Sequence, residues 1–171
     1  MVLNFDKKWV DIVYEQLSSS DFPWYFNKNT VDANALTNNL TNDSIQFTHT
    51  FYRNRNKNSE FCEIIKNLLD SKIKYKWIHR VKANLTTQVT NNHKDFRRPM
   101  HKDIPELGYK TLLYYVNDSD GDTIFFDEEK ETERYTPKKG TGLFFPSNIL
   151  HSGCNPIRSK YRIVINYVLK I

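Results

Sequence analysis

The chain has 171 residues, long enough to bury roughly 70% of its unfolded surface in one core, so a single domain spanning 1–171 is expected. Hydrophobic residues make up 39% and aromatic residues 14%, which excludes a disordered chain. The 25 Lys and Arg against 20 Asp and Glu leave a charge of +5, a mild surplus that fits an anionic substrate or nucleic acid but more readily an ordinary soluble protein.

Asp6 to Leu17 places Trp9, Ile12, Val13 and Leu17 at helical spacing, a core-facing stripe. DFPWYF follows, where Pro23 makes a turn into a short extended piece, and residues 27–44 are polar and Asn-rich, a surface loop. SIQFTHTFY alternates like a strand, and Ser59 to Leu69 reads as a second amphipathic helix capped by Ser59. From residue 73 the pattern turns to β. KYKWIHRVKANLT puts Trp77, His79, Val81 and Ala83 on one face and Arg80, Lys82 and Asn84 on the other. Further strands are YKTLLYYVN, DTIFFD, ERYTP, GTGLFFP and YRIVINYVLKI, separated by the turn signals NDSDGD, PKKG and HSGCNP. The fold class is therefore mainly β with flanking helices, a sandwich or barrel with amino-terminal helices on one outer face.

Only Cys62 and Cys154 are present, so no disulfide framework is implied and a reducing compartment is expected. The amino terminus lacks a signal-peptide core, and no apolar run approaches the roughly 20 residues of a membrane span. The expectation is a soluble, cytoplasmic protein with no membrane partner.

The stretch HKDFRRPMHKD contains His93-Lys94-Asp95 and then His101-Lys102-Asp103. A histidine and a carboxylate two residues apart point to one side of an extended strand, so either copy offers two ligands to a metal. The pair alone is weak, and both copies can be plain loop residues. The added signal is His151, just after the apolar strand GLFFP, followed eleven residues later by Arg162 at the start of YRIVINYVL. Two histidines and one carboxylate on one face of an iron leave positions open, the arrangement of non-haem Fe(II) oxygenases. A 2-oxo acid that chelates such a metal needs an always-charged, fork-shaped donor for its far carboxylate, which Arg supplies. Arg158 competes for that role, but it sits in the loop NPIRSK. Of the two copies, His93 and Asp95 follow a polar loop-like stretch. His101 and Asp103 follow Pro99 and lie eight residues from the apolar strand at Thr111, where a ligand is rigidly placed.

Read in order, MHKD, KTLLYYVN, DGDTIFF, TPKKGTGLFFPSNILHSG and YRIVINY resemble the Fe(II)/2-oxoglutarate-dependent dioxygenases, and within them the prolyl-hydroxylase-like branch, including small versions carried by phages and other viruses. The resemblance covers about residues 73–171 and, more loosely, the amino-terminal helices. It implies a double-stranded β-helix, a distorted jelly roll with the metal at its mouth. It implies His101, Asp103 and His151 as iron ligands and catalytic residues, Arg162 and Tyr115 on the C5 carboxylate of 2-oxoglutarate, and Asn84, a looser match, near the C1 end. The cofactors implied are Fe(II), 2-oxoglutarate and O2, with room left for ascorbate. The implied reaction is hydroxylation of an unactivated C–H of a peptidyl residue or free amino acid, with release of succinate and CO2. There are departures. The residue two after the arginine, often Ser in this superfamily, is Val164, and the usual Gly-Gly before Glu-Thr is Asp120-Gly121-Asp122-Thr123.

Tyr115 also reads as a core tyrosine, and His49 and His79 as strand residues in or beside the core. RNRNK at 53–57 and FRR at 96–98 keep a nucleic-acid substrate open, with Trp24, Tyr25 and Phe96 as candidate stacking residues. Residues 96–99 are expected in a mobile loop at the substrate mouth. The rival from another class is a non-catalytic, cupin-like metal-binding module, against which Arg162 discriminates.

Overall fold

The computed structural model describes residues 1–28, 45–89 and 98–171. The first His-Lys-Asp copy and nearly all of the Asn-rich loop lie outside them. Helix α1 (Lys7–Ser18) starts where the Asp6 carbonyl accepts from the Trp9 and Val10 N–H groups, and it buries Val10, Val13 and Leu17. Val10 thus takes the place expected of Ile12, which is only half-buried. Helix α2 (Cys62–Asp70) begins three residues later than expected and has no side-chain cap. Ser59 serves other partners: its hydroxyl accepts from the Phe61 N–H at 3.1 Å and bonds the Nε2 of buried His49 at 2.7 Å.

The strands form a large antiparallel sheet in the order β1 (Val2–Asn4), β9 (Thr141–Pro146), β6 (Tyr109–Tyr115), β11 (Tyr161–Lys170), β5 (Trp77–Thr87), β3 (Gln46–Arg53) and β2 (Tyr25–Asn27), with β4 (Asn56–Lys57) beside β3. A smaller sheet has the order β10 (Leu150–Gly153), β7 (Thr123–Asp127) and β8 (Lys130–Tyr135). Three of these were not expected. β1 and β4 are short, and β10 occupies part of HSGCNP, whose residue types spell a turn. Pairing decides it, because His151 is registered opposite Phe125 and Gly153 opposite Thr123.

Residues directly opposed across an antiparallel pair share a face. One face of the large sheet carries Val81, Ala83, Ile163, Ile165, Tyr167, Leu112 and Tyr114 and packs on both helices in the main core. The other carries Leu113, Tyr115, Leu143, Phe145 and Val164, which meet Phe125 of the small sheet. The result is the distorted jelly roll, with helices on one outer face. The strict alternation expected along β5 fails at its start. Ile78, not His79, joins Val81 and Ala83 in the core, because the β5–β11 register shifts between Val168 and Leu169.

Candidate active site

The inner face of the large sheet is polar where it borders β5. Across β5 and β11 the opposed pairs are Thr86 with Arg162, Asn84 with Val164, Lys82 with Asn166 and Arg80 with Val168. On the far side of β11, Val164 faces Tyr115 and Val168 faces Thr111. The expected polar row of Arg80, Lys82 and Asn84 therefore lies on the face that looks into the jelly roll.

His101 and His151 come together through backbone pairing. Each donates its N–H to the other's carbonyl, at 2.9 and 3.0 Å, an isolated antiparallel bridge that sets their rings 4.5 Å apart. Asp103 is held two residues further on by its own N–H to the Ser147 carbonyl at 3.0 Å. Ligand atoms of His101, Asp103 and His151 all lie within 4.8 Å of one another. The Nδ1 of His101 sits 3.3 Å from the Pro99 carbonyl and that of His151 3.0 Å from the Ile149 carbonyl. A ring that donates through Nδ1 keeps its Nε2 lone pair free for a metal. His151 Nε2 is 3.7 Å from Asp103 Oδ2. Burial, then the neighbouring His151, pulls the pKa of His101 down to about 4, so this imidazole is neutral at pH 7.

The Asp103 carboxylate is the most tightly held group in the cluster, its side chain 2% exposed. Oδ1 accepts from Arg80 Nη2 at 2.9 Å, Oδ2 accepts from the Thr111 hydroxyl at 2.7 Å, and Asn166 Nδ2 reaches both oxygens at 3.0 and 3.1 Å. Burial opposes its charge, but His151, Arg80, His101 and the Thr111 hydrogen bond overcome that and keep it ionised far below the usual range. Thr111 in turn is 3.0 Å from the Ser147 hydroxyl.

Arg162 lies deeper, 4% exposed. Its Nη2 donates to the Thr123 hydroxyl at 2.9 Å, and the Tyr115 hydroxyl donates to the same oxygen at 2.8 Å. Burial pushes Tyr115 up to about 12, so the phenol keeps its proton. Among the described residues no carboxylate pairs with Arg162, and its Nε makes no hydrogen bond within the protein. Arg158, by contrast, is a surface residue whose guanidinium meets Asp120. Two glycines make room for Arg162. A methyl on Gly121 would stand 2.9 Å from Arg162 Cδ and 2.6 Å from the Cys154 carbonyl, and one on Gly153 would stand 3.4 Å from a guanidinium nitrogen. Asp120 fixes the loop before β11 by accepting from the Arg158 and Ser159 N–H groups at 2.8 and 2.9 Å. The departure Asp120-Gly121-Asp122-Thr123 is thus a working part of the wall around Arg162.

His101, Asp103 and His151 are brought together, as are Arg162 and Tyr115; Asn84 is on the same inner face without a side-chain hydrogen bond among the described residues. Sequence reasoning missed Asn166, Thr111, Thr123 and Ser147. Asn166 had a signal: a polar residue inside the buried run YRIVINYVL requires a partner. The others are ordinary strand and turn residues by type.

Some surface expectations change. Arg98 is buried, with its Nε donating to Asn155 Oδ1 at 3.0 Å and its N–H to the Gly153 carbonyl, so this residue is anchored and not part of a mobile mouth. Arg55 covers the Trp77 ring at 4.3 Å, and Trp24 packs on Phe22. Tyr25 is exposed. Among the described residues no helix is long and apolar enough to cross a membrane.

A family model described as the 2OG-Fe(II) oxygenase superfamily matches residues 77–170, from β5 to the end of β11. No curated protein matches the sequence. Among solved structures, an oxidoreductase of the 2OG-Fe(II) oxygenase family from Burkholderia pseudomallei is similar at a TM-score of 0.65 and 16% identity, covering 94% of this chain and 76% of its own. A prolyl hydroxylase from Trichoplax adhaerens, in complex with a hypoxia inducible factor oxygen degradation domain peptide fragment, gives 0.61 and 14%, covering 99% and 83%. A Pseudomonas putida prolyl-4-hydroxylase gives 0.60 and 11%, covering 99% and 91%. These identities establish a shared fold, and the family match supplies the chemistry of Fe(II), 2-oxoglutarate and O2. The chain belongs to the 2OG-Fe(II) oxygenase superfamily and is a 2-oxoglutarate-dependent dioxygenase.

Proposed function

We propose that His101, Asp103 and His151 hold the Fe(II), that Arg162 with Tyr115 anchors the C5 carboxylate of 2-oxoglutarate, and that the enzyme hydroxylates a peptidyl residue or amino acid. The observation that carries this reading is one buried face holding both a His-Asp-His cluster and a buried arginine with no carboxylate partner among the described residues.

The residues fit both groups by their own chemistry. A neutral imidazole, a second histidine oriented through Nδ1 and an ionised carboxylate form a donor set suited to Fe(II). The Arg162 Nε without a partner and the space kept by Gly121 and Gly153 suit a carboxylate. A metal kept only for stability has no use for such an anchor, which favours the enzyme over a cupin-like binding module.

When bound, iron and 2-oxoglutarate supply the O2 activation that breaks an unactivated C–H bond, with succinate and CO2 as products. The protein orients and excludes water. Thr111, Asn166 and Arg80 fix the Asp103 carboxylate in one rotamer, and the Pro99 and Ile149 carbonyls fix the two imidazole rings. Thr123 locks Arg162 and Tyr115 together, so the anchor is preorganised before the co-substrate arrives. Asn84, beside Val164 and Tyr115, is assigned to the C1 side. The peptide captured by the Trichoplax adhaerens prolyl hydroxylase supports a peptide substrate. Cys62 and Cys154 are buried and form no disulfide, which supports work in the cytoplasm, and we read 1–171 as one domain.

The test is oxygen-dependent conversion of 2-oxoglutarate to succinate by the Fe(II)-loaded protein, followed by a mass-spectrometric search for +16 Da products among peptides, amino acids and nucleotides. Absence of both 2-oxoglutarate binding and uncoupled turnover would overturn the assignment.

A further inference from the structure

Val164 leaves the superfamily's frequent serine hydroxyl out of this chain, yet a hydroxyl stands on the same face one strand away. Thr86 is the direct cross-strand neighbour of Arg162, so the two side chains leave the sheet on the same side. Thr86 is 0% exposed, and its Oγ1 makes no hydrogen bond among the described residues. A buried hydroxyl without a protein partner is costly, and the large majority of buried side-chain polar atoms have one. The same is true of Arg162 Nε beside it. Two unsatisfied donors, one charged and one neutral, thus sit as opposed neighbours on adjacent strands. Of the other hydroxyls in the anchor, that of Tyr115 donates to Thr123, whose oxygen also accepts from Arg162.

We propose that Thr86 is a further co-substrate-binding residue, its hydroxyl donating to the distal carboxylate of the 2-oxo acid in place of the serine that Val164 replaces. This rests on the proposed co-substrate site. It also gives the threonine a use at a position where valine would pack equally well: the unsatisfied hydroxyl is a cost of the free protein, recovered when an anion is bound. Its second consequence is selectivity. A 2-oxo acid without the far carboxylate, such as pyruvate, gains nothing from Thr86.

The test uses the full chain loaded with Mn(II), a redox-stable stand-in, with binding of 2-oxoglutarate and of pyruvate measured by calorimetry. Thr86→Val, which keeps the shape and removes the hydroxyl, is expected to weaken 2-oxoglutarate about 10-fold or more, as loss of a hydrogen bond to a charged group does. Pyruvate binding and Mn(II) affinity are expected to stay unchanged. Thr86→Ser is expected to restore 2-oxoglutarate to within about 3-fold of the parent. In the ligand-free state Thr86→Val should melt at the same temperature or higher, because it removes an unsatisfied polar group. Parental affinity of Thr86→Val for 2-oxoglutarate, an equal loss for pyruvate, or a lowered melting temperature would each overturn the assignment of Thr86 alone. A parent protein that binds Mn(II) but no 2-oxoglutarate would overturn the co-substrate site and Thr86 with it.

Discussion

Gly121→Ala tests the wall around Arg162 most directly. The added methyl would stand 2.6 Å from the Cys154 carbonyl oxygen, 2.9 Å from Arg162 Cδ and 3.0 Å from the Pro156 nitrogen. Two of these three atoms are backbone, and that backbone is tied on both sides, by the Cys154 N–H to the Asp122 carbonyl at 2.8 Å and the Val89 N–H to the Pro156 carbonyl at 3.0 Å. The neighbour that can give is the arginine. Overpacking of this kind costs about 1–3 kcal/mol, and at this chain length each kcal/mol lowers Tm by about 2–4 °C, so a fall of roughly 2–12 °C is expected. The displaced guanidinium should also weaken 2-oxoglutarate binding to the Mn(II)-loaded protein by at least about 10-fold. Gly153→Ala supplies the contrast. The nearest atoms to its methyl would be those of the guanidinium, at 3.4, 3.6 and 3.7 Å, ordinary contact, so both the melt and the co-substrate affinity should stay close to the parent's. Thermal melts by circular dichroism and calorimetric titrations read both quantities. A Gly121→Ala protein with the parental Tm and affinity, or a Gly153→Ala protein less stable than Gly121→Ala, would refute the packing argument.

Three other outcomes are expected. His101→Ala abolishes metal binding in a Mn(II) or Fe(II) titration, whereas His93→Ala barely alters it; the reverse would reassign the ligand pair. Asn166→Ala releases both oxygens of Asp103 and lowers metal affinity about 10–100-fold with the fold intact by circular dichroism; an unchanged titration would show that Arg80 and Thr111 suffice. Burial disfavours the charge on Asp120, but the Ser159 and Arg158 N–H groups outweigh it and hold the carboxyl well below its ordinary range. Its contribution is therefore complete above an unfolded pKa of about 3.9 and is lost as pH falls below that. Asp120→Asn should lower Tm at pH 7 and flatten its decline in acid, and parallel Tm curves for the two proteins would rule this out.

Much of the site was legible because its chemistry constrains residue type. Few residues can ligate iron or clamp a carboxylate, so His101, Asp103, His151 and Arg162 stood out by type and order. Their supporting residues were less legible. Thr111 and Thr123 are common strand residues, and only cross-strand register reveals what their hydroxyls touch. The strand β10 was hidden because His-Ser-Gly-Cys-Asn-Pro has the composition of a turn, while its conformation is set by partners about 25 residues away in β7. His79 was placed on the wrong face of β5 because a register irregularity resets the alternation. Arg98 was read as a mouth residue from its nearness in sequence to the His101/Asp103 pair, whereas it is buried and bonded to Asn155, far along the chain. Each of these errors is a long-range pairing overriding a local pattern.

The reciprocal backbone bridge between His101 and His151 joins positions fifty residues apart in the chain. A nascent or unfolded chain therefore offers a metal only local His-x-Asp pairs, His93/Asp95 and His101/Asp103. The third proposed ligand, His151, arrives only when β10 has docked, a closure of high sequence separation and thus a slow one. Metal-binding free energy is then drawn almost wholly on the native topology, and it should slow unfolding more than it speeds folding. Loading with metal can serve as a report that the jelly roll has closed.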